Sequence, residues 1–250
     1  MIFHTIIPLF TYLPIKLIAK SANKLYLCVL TYKTIRFFII KLVTMAAPTK
    51  HFLSYLETSI KQNANCPALS DYDGELTYTY AQMAEKIARL HVLFSTSGLR
   101  KGDKVAICGR NSAHWAISFL AVTSYEAIAV SILPDFQPES IHALVNHSDA
   151  KCLFVGPVVW NSVDVNAMPA LGGIISMNQF ELLESRTDKL THAYNNWENA
   201  FNEKYPKGFS ALDVAYPQNN LDEPALINYT SGTTSDPKGV VLSYRSISSN

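Results

Sequence analysis

The chain has 250 residues, of which 48% are hydrophobic and 16% charged, and its formal net charge is +1. This composition predicts a sizeable buried core and excludes a disordered or collagen-like chain. The charge is uneven, because residues 1–44 contain five Lys, one Arg and no acidic residue, whereas the rest carries 15 basic and 20 acidic side chains. That mildly acidic body has no basic stripe, so no nucleic-acid partner is expected.

The first 44 residues are apolar and basic. Lysines interrupt the run too often for a transmembrane helix, and the basic residues do not precede the apolar ones as in a secretory signal. Composition changes at Met45, so we interpret residues 1–44 as an upstream extension without function and residues 45–250 as the domain of a cytoplasmic protein. The alternative is a basic amphipathic segment that makes peripheral membrane contact.

From residue 49 onward, helical and strand patterns alternate. Thr79 and Gln82 have the spacing of a capping box, and an apolar stripe at helical spacing follows, ending at Gly98. The stripe consists of Met83, Ile87, Leu90 and Phe94. A second helix is predicted over about 112–125 and a third from Pro138 to about Asn146.

Short apolar runs between these helices predict strands. They lie at 105–108, 127–133, 151–155 and 173–176, and residues 178–222 are more polar, which predicts helices and a connecting loop. Strands that alternate with helices pair in parallel through right-handed crossovers. The sequence therefore predicts an α/β fold.

The cysteines and histidines do not suggest a metal site. Cys28, Cys66, Cys108 and Cys152 are widely spaced and form no C-x-x-C pair, so reduced and mostly packed thiols are expected. His142 and His147 are five residues apart and fall on different helix faces. Ordinary structural histidines are therefore predicted at both positions.

One segment contains the candidate functional residues. An apolar strand, 226–229, runs into a loop that holds five hydroxyl side chains, two glycines and Lys238, and a second strand follows at 240–242. Hydroxyls, close backbone approach at glycine and one positive charge suit a polyphosphate. The spacing is not that of a Walker A loop, since Gly follows the lysine and a strand follows the loop. A solvated Ser/Thr-rich loop is the alternative from composition alone.

The run from Tyr229 to Val240, YTSGTTSDPKGV, resembles the phosphate loop of the adenylate-forming (AMP-binding) superfamily. The resemblance extends upstream in the family's order, through Leu76-Thr77-Tyr78, Gly102–Ile107, Asn111 with Trp115, and Asn146–Lys151. Together with Ile132–Phe136, it is most similar to medium- and long-chain fatty-acyl-CoA ligases. It implies the amino-terminal part of the large adenylate-forming domain, with mixed and parallel sheets flanked by helices.

The resemblance implies a reaction in two steps. A carboxylic acid, expected to be a fatty acid, becomes an acyl-adenylate at the expense of ATP and then passes to coenzyme A. The phosphates and a bridging Mg²⁺ would meet Thr230, Ser231, Gly232, Thr233, Thr234, Ser235, Lys238 and Gly239. Within this set Lys238 would neutralise pyrophosphate and Thr234 would lie on the metal side.

Three residues depart from the family pattern. Ser235 and Glu126 stand where the family usually has Gly, and Tyr244 stands where it usually has His. The family's remaining motifs would lie beyond Asn250, so an incomplete domain that is inactive by itself is expected. Two alternatives stay open, namely a peptide-synthetase-type adenylation module and a non-catalytic remnant.

Overall fold

The computed structural model of the protein describes residues 50–72, 74, 76–230 and 238–249. Elements are numbered from residue 50. The helices are α1 (Phe52–Gln62), α2 (Tyr80–Ser97), α3 (Ala113–Ser124), α4 (Pro138–Ser148), α5 (Pro157–Trp160), α6 (Asp188–Asn195), α7 (Trp197–Lys204) and α8 (Tyr244–Ser248). Within these ranges no helix is both long and apolar enough to cross a bilayer.

The strands form two sheets. Their bounds are β1 (Pro67–Ser70), β2 (Thr77–Thr79), β3 (Lys104–Cys108), β4 (Ile128–Ile132), β5 (Cys152–Val155), β6 (Gly173–Ser176), β7 (Leu182–Ser185), β8 (Pro224–Thr230) and β9 (Lys238–Ser243). A small antiparallel pair joins β1 to β2. The main sheet has the order β7-β6-β5-β3-β4-β8-β9.

The five central strands of the main sheet are parallel, and the two outermost strands are antiparallel to their neighbours. This arrangement confirms the predicted α/β fold. The prediction of helices and a connecting loop over 178–222 was wrong in one part, because this region also contains the strand β7. That strand is a half-exposed edge strand, which lacks the apolar run that marks the buried strands.

Helix α2 begins and ends as its sequence predicts. Thr79 and Gln82 form the reciprocal capping box, and Gly98 ends the helix with a left-handed φ of 87°. The predicted stripe is buried, with Met83, Ile87, Leu90 and Phe94 each at most 3% exposed. Burial of such side chains supplies about 1.5–3 kcal/mol each, so this helix is held mainly by its apolar face.

Both faces of the sheet are covered. Side chains of α2, α3 and α6 pack on one face, where they meet Val105 and Ile107 of β3. Side chains of α4 pack on the other face against Ala106 and Cys108. Alternate residues of one strand thus enter different cores, which is why the central strands are apolar throughout.

An ion cluster joins the amino ends of three adjacent strands. Lys101, Glu126 and Glu223 precede β3, β4 and β8, and the Lys101 ammonium lies 2.9 Å from Glu126 and 3.0 Å from Glu223. Glu126 has a φ of 63°, a left-handed conformation that glycine adopts without steric cost. This geometry gives a physical reason for the Gly that the family resemblance leads us to expect at this position. Lys101, Glu126 and Glu223 are called the lysine clamp below.

Candidate active site

The carboxyl ends of the parallel strands lie together on one edge of the sheet. Helix α3 leaves β3 from this edge and covers one face, whereas α4 leaves β4 and covers the other. In open α/β sheets, ligands bind outside the carboxyl ends of the strands at the point where the connections change face. The candidate active site is therefore this edge, beside β3, β4 and β8.

The hydroxyl-rich segment of the sequence joins β8 to β9 at the same edge. These strands pair antiparallel, and Thr230 opposite Lys238 is the last pair before the turn. We call the unit from Pro224 to Ser243 the phosphate hairpin. Its turn, including Ser231, Gly232, Thr233, Thr234 and Ser235, lies outside the described residues, so those predictions stay predictions. Lys238 and Gly239 are exposed at the start of β9.

Packing as well as the sequence pattern favours glycine at position 239. Gly239 pairs directly with Tyr229, and a Cβ atom at this position would lie 3.0 Å from Cε1 of Tyr229 and 3.2 Å from Cγ2 of Ile227. Cross-strand partners point to the same face of a sheet, so the tyrosine ring fills the space of the missing side chain. The ring of Tyr229, which belongs to β8, therefore packs against β9 and connects the two strands of the hairpin.

The side chain of Tyr229 is also held by helix α4. Its hydroxyl lies 2.7 Å from Nδ1 of His147, and the two rings meet edge to face at a centroid distance of 6.0 Å. Burial raises the pKa of Tyr229, and the Asp149 carboxylate raises it further. His142 instead accepts a hydrogen bond from the backbone N–H of Asp164 at 2.9 Å. Sequence patterns predicted only an ordinary structural histidine at position 147 and did not indicate that His147 meets the hairpin.

The outgoing strand of the hairpin is anchored by Tyr244. This residue is 1% exposed, its hydroxyl donates to the Thr123 carbonyl of α3 at 2.6 Å, and its ring packs on His51. The next residue, Arg245, makes two hydrogen bonds to the Asp222 carboxylate at 2.7 and 2.9 Å. Tyr244 therefore acts as a core residue that joins the hairpin to α3.

The described cysteines do not form a reactive centre. Cys108 and Cys152 are buried, and burial raises the pKa of each thiol to about 12, while Cys66 is exposed. Cys108 and Cys152 are accordingly poor nucleophiles. Over residues 50–72, 74, 76–230 and 238–249, no cluster of three or more His, Cys, Asp or Glu side chains could hold a metal ion.

Comparison with solved structures identifies the fold. The structure of the anthranilate CoA ligase AuaEII in complex with anthranoyl-AMP matches with a TM-score of 0.62 at 21% identity, over 80% of this chain and 36% of that one. The two proteins therefore share the fold of this sheet and its helices over the matched region.

The family model described as AMP-binding enzyme matches residues 56–250, and the chain belongs to that family. A probable acyl-activating enzyme 9 of Arabidopsis thaliana is 28% identical over 78% of this chain and 36% of its own length. The mitochondrial medium-chain acyl-CoA ligase ACSF2 of Rattus norvegicus is 24% identical over 78% of this chain and 34% of its own length. The chain therefore spans about a third of the length of these relatives.

Proposed function

We propose that the chain supplies the polyphosphate-binding part of an enzyme that activates a carboxylic acid as its acyl-adenylate and transfers the acyl group to coenzyme A. The observation that carries the proposal is the phosphate hairpin, a hydroxyl- and glycine-rich turn between two anchored strands at the ligand-binding edge of the sheet. Membership of the AMP-binding family supports the same reaction class.

In this proposal a carboxylate oxygen attacks the α-phosphorus of ATP, the bond from that phosphorus to the oxygen bridging the α- and β-phosphates breaks, and pyrophosphate leaves with this oxygen. The thiol of coenzyme A then attacks the acyl carbonyl, loses its proton, and releases AMP. Charge accumulates on phosphate oxygens during the first step, so preorganised donors and cations provide most of the stabilisation. Lys238 would neutralise the departing pyrophosphate.

The remaining roles follow from residue chemistry. Hydroxyl groups of the turn would donate to phosphate oxygens, and Gly232 and Gly239 would allow the backbone to approach them. Those assigned to phosphate are Thr230, Ser231, Thr233, Thr234 and Ser235. Mg²⁺ retains several waters and takes few protein ligands in nucleotide sites, so one hydroxyl such as that of Thr234 fits its needs beside the phosphates. When bound, the ion would neutralise phosphate charge.

A fatty acid is the proposed substrate. The run Ile132–Phe136 follows β4 at the candidate site and is similar to fatty-acyl-CoA ligases, and one relative is named as a medium-chain acyl-CoA ligase. The structural neighbour AuaEII carries an aromatic acyl-adenylate, which makes benzoate-type acids the relevant competitors in a substrate test.

The proposal is tested by calorimetric titration of the chain with pyrophosphate and with Mg·ATP. Binding is expected, and Lys238→Ala should weaken it by on the order of tenfold or more, since a charged contact contributes about 1.5–3 kcal/mol. Lys151→Ala is the matched control, because this exposed lysine precedes β5 at the opposite edge of the sheet. Equal affinities for the two variants would exclude Lys238 from the site.

A further inference from the structure

The stem of the phosphate hairpin touches one polar side chain of helix α4. The pair formed by His147 and Tyr229 joins residues 82 positions apart in sequence, and Tyr229 is 2% exposed. A buried phenol hydroxyl usually requires a hydrogen-bond partner, because an unsatisfied polar group in the interior is unfavourable. In the hydrogen bond of 2.7 Å either group can be the donor, and His147 supplies this partner for Tyr229.

Through the ring of Tyr229, the contact with His147 bears on both strands of the hairpin, β8 and β9. The ring belongs to β8 and lies beside its cross-strand partner Gly239 of β9, where an added Cβ would be 3.0 Å from Cε1 of the ring. Thr230 and Lys238, the last pair before the turn, are called the closing pair. Tyr229 immediately precedes Thr230, and Gly239 immediately follows Lys238, so Tyr229 and Gly239 form the pair next to the closing pair. A change in the tilt of this ring would therefore move both ends of the turn together.

We propose that His147 is a positioning residue for the phosphate hairpin. Its imidazole fixes the ring of Tyr229, the ring fixes Gly239, and the closing pair of Thr230 and Lys238 is held in the geometry that a polyphosphate requires. His147, Tyr229 and Gly239 are called the stem brace. This inference deepens the proposed function and rests on it.

A purely structural role for His147 makes a different prediction from a positioning role. Asn places a polar atom near the position of Nδ1, whereas Gln places its polar atoms near the position of Nε2. A brace that depends on Nδ1 should therefore tolerate His147→Asn and should not tolerate His147→Gln. If His147 only fills space, the larger Gln should be accepted at least as well as Asn.

The test compares His147→Ala, His147→Gln, His147→Asn and Tyr229→Phe in the whole 250-residue chain. His142→Ala is the matched control, since His142 lies on the same helix and bonds to Asp164 instead. The first readout is amide hydrogen exchange of residues 239–242. His147→Ala, His147→Gln and Tyr229→Phe should accelerate it about three- to tenfold, the factor that corresponds to one hydrogen bond, whereas His147→Asn and the control should not.

The second readout is the dissociation constant for inorganic pyrophosphate. The same three variants should weaken binding about three- to tenfold, and the double variant of His147→Ala with Tyr229→Phe should be no weaker than either single one. Unchanged exchange in His147→Ala and Tyr229→Phe would overturn the inference, as would equal effects of His147→Asn and His147→Gln. Absence of pyrophosphate binding by the unsubstituted chain would contradict the proposed function, and the exchange rates would still decide whether His147 holds the stem.

Discussion

Two tyrosines with buried hydroxyls should respond differently to the same substitution. The hydroxyl of Tyr244 donates to the Thr123 carbonyl at 2.6 Å. The hydroxyl of Tyr216 is also buried, yet it has no hydrogen-bond partner among the described residues, and burial raises its pKa. Replacing each Tyr by Phe keeps the ring and removes only the hydroxyl. The two variants therefore compare the loss of a hydrogen-bonded hydroxyl with the loss of a hydroxyl that has no partner.

The magnitudes follow from the partners that remain. After Tyr244→Phe the Thr123 carbonyl keeps the backbone N–H of Glu126, at 3.1 Å, so it is not left unpaired. The loss should be that of one net hydrogen bond, about 1 kcal/mol of unfolding free energy, rather than the larger penalty of an orphaned carbonyl. Tyr216→Phe removes an uncompensated buried hydroxyl, so stability should stay level or rise by up to about 1 kcal/mol.

Urea unfolding followed by circular dichroism measures both free energies in the same chain. For a chain of this size, 1 kcal/mol corresponds to a shift in Tm of about 2–4 °C, so calorimetry provides an independent check. Destabilisation of the same size by both substitutions would refute the reasoning, since it would mean that the hydroxyl of Tyr216 is satisfied as well as that of Tyr244.

The other two predictions concern pH and the amino terminus. Burial lowers the pKa of His91 to about 4, from an ordinary 6.5, while its Nε2 lies 3.0 Å from the Ala121 carbonyl. As the pH falls, the imidazole of His91 is therefore protonated in the unfolded chain before it is protonated in the folded one. The unfolding free energy should fall by on the order of 2–3 kcal/mol between about pH 6.5 and 4 and then level off. Urea titrations at each pH measure this dependence, and His91→Gln should reduce its slope. A chain that starts at Met45 should bind pyrophosphate as tightly as the full chain and should not sediment with anionic vesicles; vesicle binding that requires residues 1–44 would instead support a membrane-associating segment.

Local patterns predicted the helices and central strands well because those elements are determined by nearby residues. The capping box at Thr79, the stop at Gly98 and the apolar strand Gly173–Ser176 are examples. Strand β7 was missed because it is half exposed and lacks an apolar run, and the turn before it is also unusual. Phe180 takes a left-handed φ of 58° there, a conformation that propensity assigns to Gly or Asn, and buried contacts with His114 and Phe154 accompany it.

The candidate site was predicted only in part for a similar reason. The phosphate hairpin was found because its sequence resembles a family. The approach of Gly239 to a phosphate stays a prediction, whereas its crowding against Tyr229 became visible only in the structure. The contact between His147 and Tyr229 spans 82 residues, so neither periodicity nor motif spacing could reveal it. For the same reason, Tyr244 could be recognised in the sequence only as a departure from the family pattern, whereas its hydroxyl joins the hairpin to α3.

The lysine clamp has a consequence for how solution conditions act on the sheet. Lys101 holds Glu126 and Glu223 at the amino ends of β3, β4 and β8, and β8 is also the first strand of the phosphate hairpin. The ammonium is about half exposed, so dissolved ions screen its attractions within a Debye length of about 8 Å at physiological ionic strength. Added salt therefore weakens these ion pairs at one end of the strands and competes with anions at the other. Salt would lower the stability of the sheet through Lys101 and the affinity for a polyphosphate through Lys238, and the two effects can be measured separately.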